Sequence, residues 1–308
     1  MNESRETERV GAQRRGGALG FRLFEMVLKL HGLRGAYAVL YPVCLYYLLF
    51  DRPARRGGMA YVRRRFPEDG SPKRWLHVYR LMVSQGKQLI DRYVAIAREG
   101  VFDIVLDDQG HLVSCLEDSD TGVILLTAHI GNWQVGMTTL SETERRVHIV
   151  MRPEDNPAVS EYLKISHPTA DVEIISPNSF LSGVVEIVAA LNNGHIVSIM
   201  GDRRYDFDAV GVRFLGDTAW FPYGAFHIAA TVGCPLVVLI TVKDSTHRYV
   251  IDASHVLRPR YESRARRDEQ RRRWVQEYAS ILESFLLEHP YQCFLFQDIW
   301  EANDPPAA

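Results

Sequence analysis

The sequence predicts an α/β fold in which a mixed, largely parallel sheet is flanked by helices, with a membrane-associating helical segment at the amino terminus. Two observations carry this prediction. After residue 100, short apolar runs alternate with helical patterns, as strands and their covering helices do in a sheet buried on both faces. Before it, the chain is basic, helical in pattern and interrupted by a long uncharged run. The composition, 46% apolar and 24% charged, excludes a wholly disordered, collagen-like or disulfide-scaffold chain.

Composition and charge divide the chain into three parts. Residues 1–20 are predicted to be a disordered, basic and polar terminus, residues 21–100 a membrane-associating helical segment, and residues 101–300 an α/β domain continuous with those helices. The first 100 residues hold 19 Lys and Arg against 9 Asp and Glu, whereas the rest of the chain holds 17 against 29. A basic amino-terminal part followed by an acidic remainder indicates contact with an anionic surface, either membrane headgroups or nucleic acid.

The amino-terminal segment contains an apolar run at 35–50 that carries no charge over 16 residues. A bilayer-spanning helix needs about 20 apolar residues, so this run is short, and Pro42 lies within it. Its tyrosines suit the headgroup level, which favours an interfacial or dipping helix on a cytoplasmic membrane face. An ordinary core helix fits the run alone equally well, but the basic tract at 63–65 favours the membrane. A second amphipathic helix is predicted at 75–98.

The remaining elements alternate between strand and helix. Strands are predicted at 122–127, 147–151, 172–176, 196–200 and 235–242, with an edge strand at 249–253. Helices are predicted at 180–191, 225–232 and 271–288. This alternation is the reason to expect a mixed, largely parallel sheet covered on both faces.

The chain carries no signature of a metal or cofactor enzyme. Its four cysteines lie far apart without a C-x-x-C pair, which is typical of small buried side chains in a reducing compartment. It contains no P-loop, no G-x-G-x-x-G, no G-x-S-x-G and no H-E-x-x-H. We therefore expect neither a metal nor a cofactor.

The most informative stretch is GVILLTAHIGNWQVG at 122–136. A buried strand ends here, and His129 follows at its carboxyl end, where open α/β sheets bind their ligands. Gly131 permits close backbone approach, and Asn132 can cap the next helix or hydrogen-bond a substrate. A lone histidine is more often structural, but this context indicates a functional one.

Further segments follow in order along the chain: RPEDNP at 152–157, GDR at 201–203, FLG at 214–216, FPYG at 221–224 and HPYQCF at 289–294. Together with AHIGNWQ at 128–134, they make the chain resemble the lipid A biosynthesis lauroyl/myristoyl acyltransferase family, within the lysophospholipid acyltransferase superfamily. The resemblance extends over most of the chain, roughly residues 21–300. The superfamily signature is His-x4-Asp/Glu, which begins here at His129.

The resemblance implies transfer of a fatty acyl group from an acyl carrier protein or coenzyme A thioester to a hydroxyl or amine of a lipid acceptor, on the cytoplasmic face of the inner membrane. An alcohol that attacks a thioester needs a base, and neutral His129 can act as one near pH 7. Arg152 and Arg203 can meet the developing oxyanion or grip a phosphate, or simply pair with nearby aspartates. The expected substrate-binding residues are Asn132, Trp133, Arg152, Asn156 and Arg203.

Gln134 departs from the family pattern, which has Glu or Asp at this position. An amide oxygen can accept a hydrogen bond from His129 and orient it, but it supplies no negative charge to an imidazolium. Three explanations fit: a natural Gln-type enzyme with another carboxylate, a substitution that inactivates the enzyme, or a lipid-binding relative without catalysis. We favour the first, with His129, Gln134 and Asp202 as the catalytic group, because Asp202 follows the strand predicted at 196–200.

Two rival functions remain open at this point. The first is a catalytically impaired or non-catalytic lipid or acyl-chain binding protein on the same fold, which Gln134 supports. The second is a nucleic-acid-binding protein that uses the arginine-rich front. It leaves the apolar run at 35–50 without a purpose, and the chain has no recognisable nucleic-acid-binding module. We therefore expect a membrane surface as partner and no nucleic acid.

Overall fold

The structure is a computed structural model of the chain, and it describes residues 18–97, 100–107, 111–117, 121–137, 145–151, 172–176, 180–203 and 209–300. It confirms the predicted α/β class, because a seven-stranded mixed sheet is flanked by helices and preceded by an apolar helix. Residues 1–17, most of the terminus that was expected to be disordered, lie outside the described residues.

The described helices are α1 (Ala18–Phe50), α2 (Arg52–Arg65), α3 (Ser71–Ala97), α4 (His111–Glu117), α5 (Trp133–Met137), α6 (Phe180–Asn192), α7 (Gly224–Val232) and α8 (Arg267–Glu288), with a 3-10 turn at Arg264–Arg266. The strands are β1 (Asp103–Asp107), β2 (Val123–Thr127), β3 (Val147–Val150), β4 (Val172–Ile175), β5 (Ile196–Met200), β6 (Ala209–Phe214), β7 (Asp217–Pro222), β8 (Leu236–Lys243) and β9 (Arg248–Leu257).

The main sheet has the strand order β1-β9-β8-β2-β5-β3-β4, and β6 and β7 form a separate antiparallel hairpin. Strands β8, β2, β5, β3 and β4 run parallel to one another, so their carboxyl ends lie at one edge of the sheet. Strand β9 runs antiparallel to β8 and parallel to β1. The fold therefore gathers the ends of β2, β5 and β8 at a common edge, where ligands bind in such sheets.

The expectation of an edge strand at 249–253 is wrong. Strand β9 is twice that length and lies between β8 and β1 in the sheet. Its residues are buried in near alternation, whereas β2 is buried at every position. That half-polar pattern suggested an edge, but it reflects one partly covered face of an internal strand.

The amino-terminal helix α1 is longer than its sequence pattern suggested. The run predicted as a helix at 35–50 is part of one helix that begins at Ala18 and has a kink at Gly32, where φ is +63°. Its 29-residue stretch Arg22–Phe50 is long and apolar enough, by length and composition, to cross a membrane. The sequence pattern underestimated it because charges such as Lys29 interrupt the apolar run.

Helix α1 has two different apolar faces. One is buried against the rest of the protein and includes Tyr37, Leu40, Cys44 and Leu48. The other is exposed and includes Leu45, Tyr46, Leu49 and Phe50. The first face belongs to the protein core, and the second is a continuous apolar surface of the kind that contacts lipid.

A buried polar cluster around Asp91 of α3 joins the helical segment to the sheet. Asp91 has no exposed surface. Its carboxylate accepts hydrogen bonds from the hydroxyl groups of Tyr37 in α1 and Tyr249 in β9, and Nζ of Lys243 in β8 lies 2.5 Å from its Oδ2. Four elements therefore meet at one carboxylate, which fixes α1 to the α/β domain by directional contacts as well as by apolar packing.

Helix α2 and strand β7 were absent from the sequence prediction, as were β1, α4 and β6. Helix α2 begins after Asp51, whose side chain accepts from the backbone N–H of Ala54 over 3.1 Å and so caps it. The many arginines of this segment obscure its amphipathic pattern in the sequence, although the helix buries Tyr61 and Val62. The segment of hairpin strand β7 was not predicted as a strand, since it ends in Phe-Pro before Tyr-Gly, a pattern that is typical of a turn.

Candidate active site

His129 and Asp202 meet at the carboxyl edge of the sheet. Strands β2 and β5 pair in parallel, with Thr127 opposite Met200, so the chain leaves both strands side by side and reaches a functional residue two positions later. Nδ1 of His129 lies 2.8 Å from Oδ1 of Asp202, and the backbone N–H of His129 donates to the other carboxylate oxygen. One carboxylate thus holds both the ring and the main chain of His129.

The turn after His129 is held between β8 and the carboxyl-terminal segment. Gly131 has a φ of +65°, and a Cβ at this position would collide with the carbonyl oxygen of Thr241. The N–H of Gly131 donates to the Gln292 carbonyl over 2.8 Å, and the N–H of Phe294 donates to the His129 carbonyl over 2.7 Å. The backbone around His129 is therefore held in place by contacts with β8 on one side and with the carboxyl-terminal segment on the other.

The carboxyl group of Asp202 has no exposed surface, and this burial, the largest influence on its pKa, favours the neutral acid. The charge and hydrogen bonds of His129, together with the Arg203 guanidinium, outweigh burial and hold the pKa of Asp202 below its ordinary value of 3.8. Asp202 is therefore a carboxylate at neutral pH and accepts from Nδ1–H of the imidazole. The ring nitrogen left to take a proton is Nε2.

Gln134, in α5, contacts α3 rather than His129. Its Oε1 accepts a hydrogen bond from Nη1 of Arg92. This differs from the expectation that the Gln134 amide accepts from His129, because Asp202 already occupies the acceptor position at Nδ1. A buried carboxylate is a stronger acceptor for an imidazole N–H than a neutral amide is.

Asn132 and Trp133, both predicted to bind substrate, lie on the turn beside His129. Asn132 is buried, and its Nδ2 donates to the backbone carbonyl of Gln88 over 2.9 Å. Its side-chain amide thus ties the turn to α3. Trp133 is partly exposed and lines a cavity next to His129.

Arg203, the third described residue of the predicted binding set, borders the same cavity. Its Nη2 donates to the Phe294 carbonyl over 3.0 Å, and its buried Nε has no hydrogen-bond partner among the described residues. The Nε–H group of Arg203 can therefore still donate a hydrogen bond next to the cavity. Arg152 and Asn156 lie outside the described residues.

The cavity beside His129 has a volume of about 460 Å³. Most of its wall is apolar and comes from α6, α7 and the ends of the strands, including Ile175, Val184, Ile187, Ile199 and Ile228. Its charged lining consists of Arg92 and Arg203, and no Ser, Thr, Cys, Asp or Glu is present among the described residues that line it. The cavity therefore suits a long apolar group with an anionic or electron-rich end.

Cys293 lies near this site but is not equipped to act as a nucleophile. It is fully buried and pairs with Ile130 in an antiparallel bridge. Burial raises the pKa of its thiol to about 12, so the reactive thiolate is absent near neutral pH. Within the described ranges, no group of three His, Cys, Asp or Glu side chains could hold a metal ion.

Sequence reasoning missed Arg92, the partner of Gln134. It lies on α3, where the amphipathic pattern predicts only core or lipid contacts. The available signal was a pair of charges, Asp91 and Arg92, in a helix turn that otherwise packs into the protein. Both proved to be buried and engaged in long-range contacts.

A buried carboxylate paired with a histidine at the carboxyl edge of an α/β sheet, over an apolar cavity with cationic residues, is an arrangement that can take a proton from a group next to a long apolar chain. The family model of the bacterial lipid A biosynthesis acyltransferases matches residues 91–302, which include both His129 and Asp202. The chain belongs to this family. It is therefore a lipid acyltransferase of a membrane-associated family. The comparison with curated proteins gave no match.

Proposed function

We propose that the protein transfers a fatty acyl group from an acyl carrier protein or coenzyme A thioester to a hydroxyl, or an amine, of a membrane lipid, with His129 as general base. The observation that supports this most directly is the His129–Asp202 pair against an apolar cavity. Arginines at the same cavity suit the phosphates that such donors and many lipid acceptors carry.

The reaction proceeds by direct transfer. Nε2 of His129 takes the proton of the acceptor hydroxyl as its oxygen bonds to the thioester carbonyl carbon. The carbonyl oxygen gains charge, which Arg203 stabilises, and Asp202 stabilises the imidazolium. The C–S bond then breaks, and the leaving thiolate takes the proton back from Nε2. Every proton is returned, and no cofactor is consumed.

Helix α1 and its neighbours support the proposed membrane setting. The exposed face of α1 contacts lipid, and Arg55 lies next to it, donating to the Leu48 carbonyl over 3.0 Å and covering the Trp75 ring at 4.9 Å. Arginine and tryptophan in such a position suit the headgroup region. Acyl thioesters are cytoplasmic molecules, so the site faces the cytoplasm from the inner membrane.

The test is consumption of dodecanoyl-coenzyme A and of a dodecanoyl carrier protein by the purified enzyme in the presence of a membrane lipid extract. The variant His129→Gln should lose transfer by at least about 10³-fold, since it removes the base. The control His247→Gln changes an exposed histidine on a turn and should retain activity. Full transfer by His129→Gln with an unchanged midpoint of thermal unfolding would contradict the assignment.

A further inference from the structure

A second cavity, of about 630 Å³, lies between α1 and α3. Its volume falls in the range of about 300–1,000 Å³ that is typical of ligand pockets. Its wall is mostly apolar and includes Leu28, Leu40 and Cys44 from α1, Met82 and Ile90 from α3, and Phe296. We call it the helix cavity, and the cavity beside His129 the strand-end cavity.

The two cavities share a wall made of Gln85, Leu89, Arg92 and Arg203. The two arginines therefore form a cationic junction between two apolar spaces, and one of these spaces contains His129. The acidic residues of the helix cavity lie elsewhere in its wall and are already engaged. Asp51 caps α2, and Glu25 pairs with Lys29 over 2.9 Å.

We propose that the helix cavity binds the apolar tail of the lipid acceptor while the strand-end cavity binds the acyl chain of the donor. This inference rests on the proposed function. Both substrates are then bound at once, with their reacting ends at the junction of Arg92 and Arg203 beside His129. The junction suits an acceptor that carries a phosphate or another anionic group close to its reactive hydroxyl.

The position of α1 decides which substrate takes which cavity. One wall of the helix cavity is the buried face of α1, and the exposed face of the same helix is the apolar surface that contacts lipid. The helix cavity therefore lies behind the helix whose other face is proposed to contact the bilayer, which favours it as the site for the tail of a bilayer lipid. The strand-end cavity is built from α6, α7 and strand ends of the α/β domain, which suits a chain delivered by a water-soluble carrier.

Two photoreactive probes test this division. The acceptor probe is a single-chain lysophosphatidate with a diazirine at the end of its chain, presented in detergent micelles, and the donor probe is dodecanoyl-coenzyme A with a terminal diazirine. Mass spectrometry of the labelled full-length enzyme should find the acceptor probe on peptides that contain Leu40, Cys44 or Met82. The donor probe should label peptides that contain Val184, Ile187 or Ile228.

A set of three variants sharpens the test. Cys44→Phe fills the helix cavity and should lower labelling by the acceptor probe at least ten-fold while leaving donor labelling within two-fold. Ile228→Phe fills the strand-end cavity and should do the reverse. Leu45→Phe adds bulk on the exposed face of α1 and should change neither. Circular dichroism and the thermal midpoint establish that each variant is folded.

Two results would overturn the division of the cavities: labelling of the same peptides by both probes, or acceptor labelling that survives Cys44→Phe. Thioester consumption is measured on the same samples to separate this inference from the proposed function. Absence of consumption by the wild type counts against the function. Normal consumption with shared labelling counts against the division of the cavities alone.

Discussion

Nδ1 of His129 lies 2.8 Å from Oδ1 of Asp202, although the two residues are 73 positions apart in the chain. The parallel pairing of β2 and β5 creates this contact, because it brings the ends of both strands to one edge. In the proposed mechanism, the carboxylate that supports His129 therefore lies outside the His-x4-acid signature. The contact predicts that the proposed reaction needs the Asp202 carboxylate.

Asp202→Asn should lower kcat by about 10³–10⁴-fold, the size of loss that the equivalent amide exchange causes in the serine-protease triad. The amide keeps the shape of the side chain but cannot stabilise an imidazolium. Steady-state thioester consumption measures the effect, with Asp217→Asn, an exposed carboxylate paired with Arg64, as the matched control. Equal activity in Asp202→Asn and Asp217→Asn would remove Asp202 from the mechanism.

Incubation of the enzyme with dodecanoyl-coenzyme A alone should give no covalent acyl-enzyme. The described lining of the strand-end cavity contains no Ser, Thr or Cys, and the Cys293 thiol is protonated near neutral pH. Intact-mass spectrometry after incubation with the donor is the measurement, and Cys293→Ser is the control. A stable acyl adduct on the wild type that is absent from Cys293→Ser would replace direct transfer with a two-step reaction.

Protein stability should fall as the pH drops below about 6.5, in part because of His148. Burial is the main cause that lowers the pKa of His148, which packs against His195 with 2.9 Å between Nε2 and Nδ1. The unfolded chain then binds a proton more readily than the folded one, so folding is favoured above this pH and loses that contribution below it. Glu173, 3.4 Å from Nδ1, opposes the shift only in part.

Urea unfolding of the wild type and of His148→Gln at about pH 7.5 and about pH 5.5 checks this expectation. The variant should lose less free energy of unfolding between the two pH values than the wild type does. His247→Gln, which changes an exposed histidine, should behave like the wild type. If His148→Gln has the same pH dependence as the wild type, the buried imidazole is not a source of acid sensitivity.

Substitutions of two adjacent leucines on α1 test core packing and membrane binding separately. Leu48 is 6% exposed and Leu49 is 52% exposed. Leu48→Ser should lower the free energy of unfolding by about 2–5 kcal/mol because it opens a cavity in the core. Leu49→Ser should leave stability within about 0.5 kcal/mol but weaken binding to anionic liposomes by about 10–100-fold, since about 1.5–3 kcal/mol of apolar burial is lost.

Liposome co-sedimentation and urea unfolding measure the two effects on the same preparations. Weaker membrane binding by Leu48→Ser with no change for Leu49→Ser would reverse the assignment of the two faces. Removal of α1 as a whole should affect more than membrane binding. Since Tyr37 binds Asp91 and much of α1 is core, such a deletion should destabilise the protein rather than simply release it from the membrane.

The sequence predicted the parts of the fold that depend on local pattern. Strand β5 has the predicted bounds and β2 differs by one residue, because apolar runs between turn residues mark buried strands well. Helix α2 was missed because its arginines mask the buried Tyr61 and Val62. The apolar pattern of a helix is weak when its charged side chains reach the surface while their aliphatic stems pack inside.

Within the candidate site, the sequence predicted the position of His129 and named Asp202 among its possible partners. It could not predict that Gln134 binds Arg92, since the two lie on different helices and no local pattern connects them. The same holds for the helix cavity, which exists only because α1 packs on α3. Contacts between distant segments follow from tertiary packing, which a single sequence does not display.

Gln134 stands where the family resemblance leads us to expect Glu or Asp, and its contact is compatible with the proposed catalysis. Its Oε1 accepts from Arg92, while Asp202 serves His129. An amide at this position therefore leaves the His129–Asp202 contact intact and adds no negative charge to the junction. Arg92, a guanidinium, is positively charged in the wall that both cavities share.

Gln134→Glu should therefore change kcat by less than about ten-fold and raise the KM for a phosphate-bearing substrate, because the new carboxylate pairs with Arg92 and competes with the substrate anion. Gln85→Glu, which adds the same charge to the wall that both cavities share, is the control for a general effect of charge. Thioester consumption over a range of donor and acceptor concentrations provides both constants. A rise in kcat by orders of magnitude in Gln134→Glu would instead show that position 134 needs a carboxylate and that Gln134 impairs the enzyme.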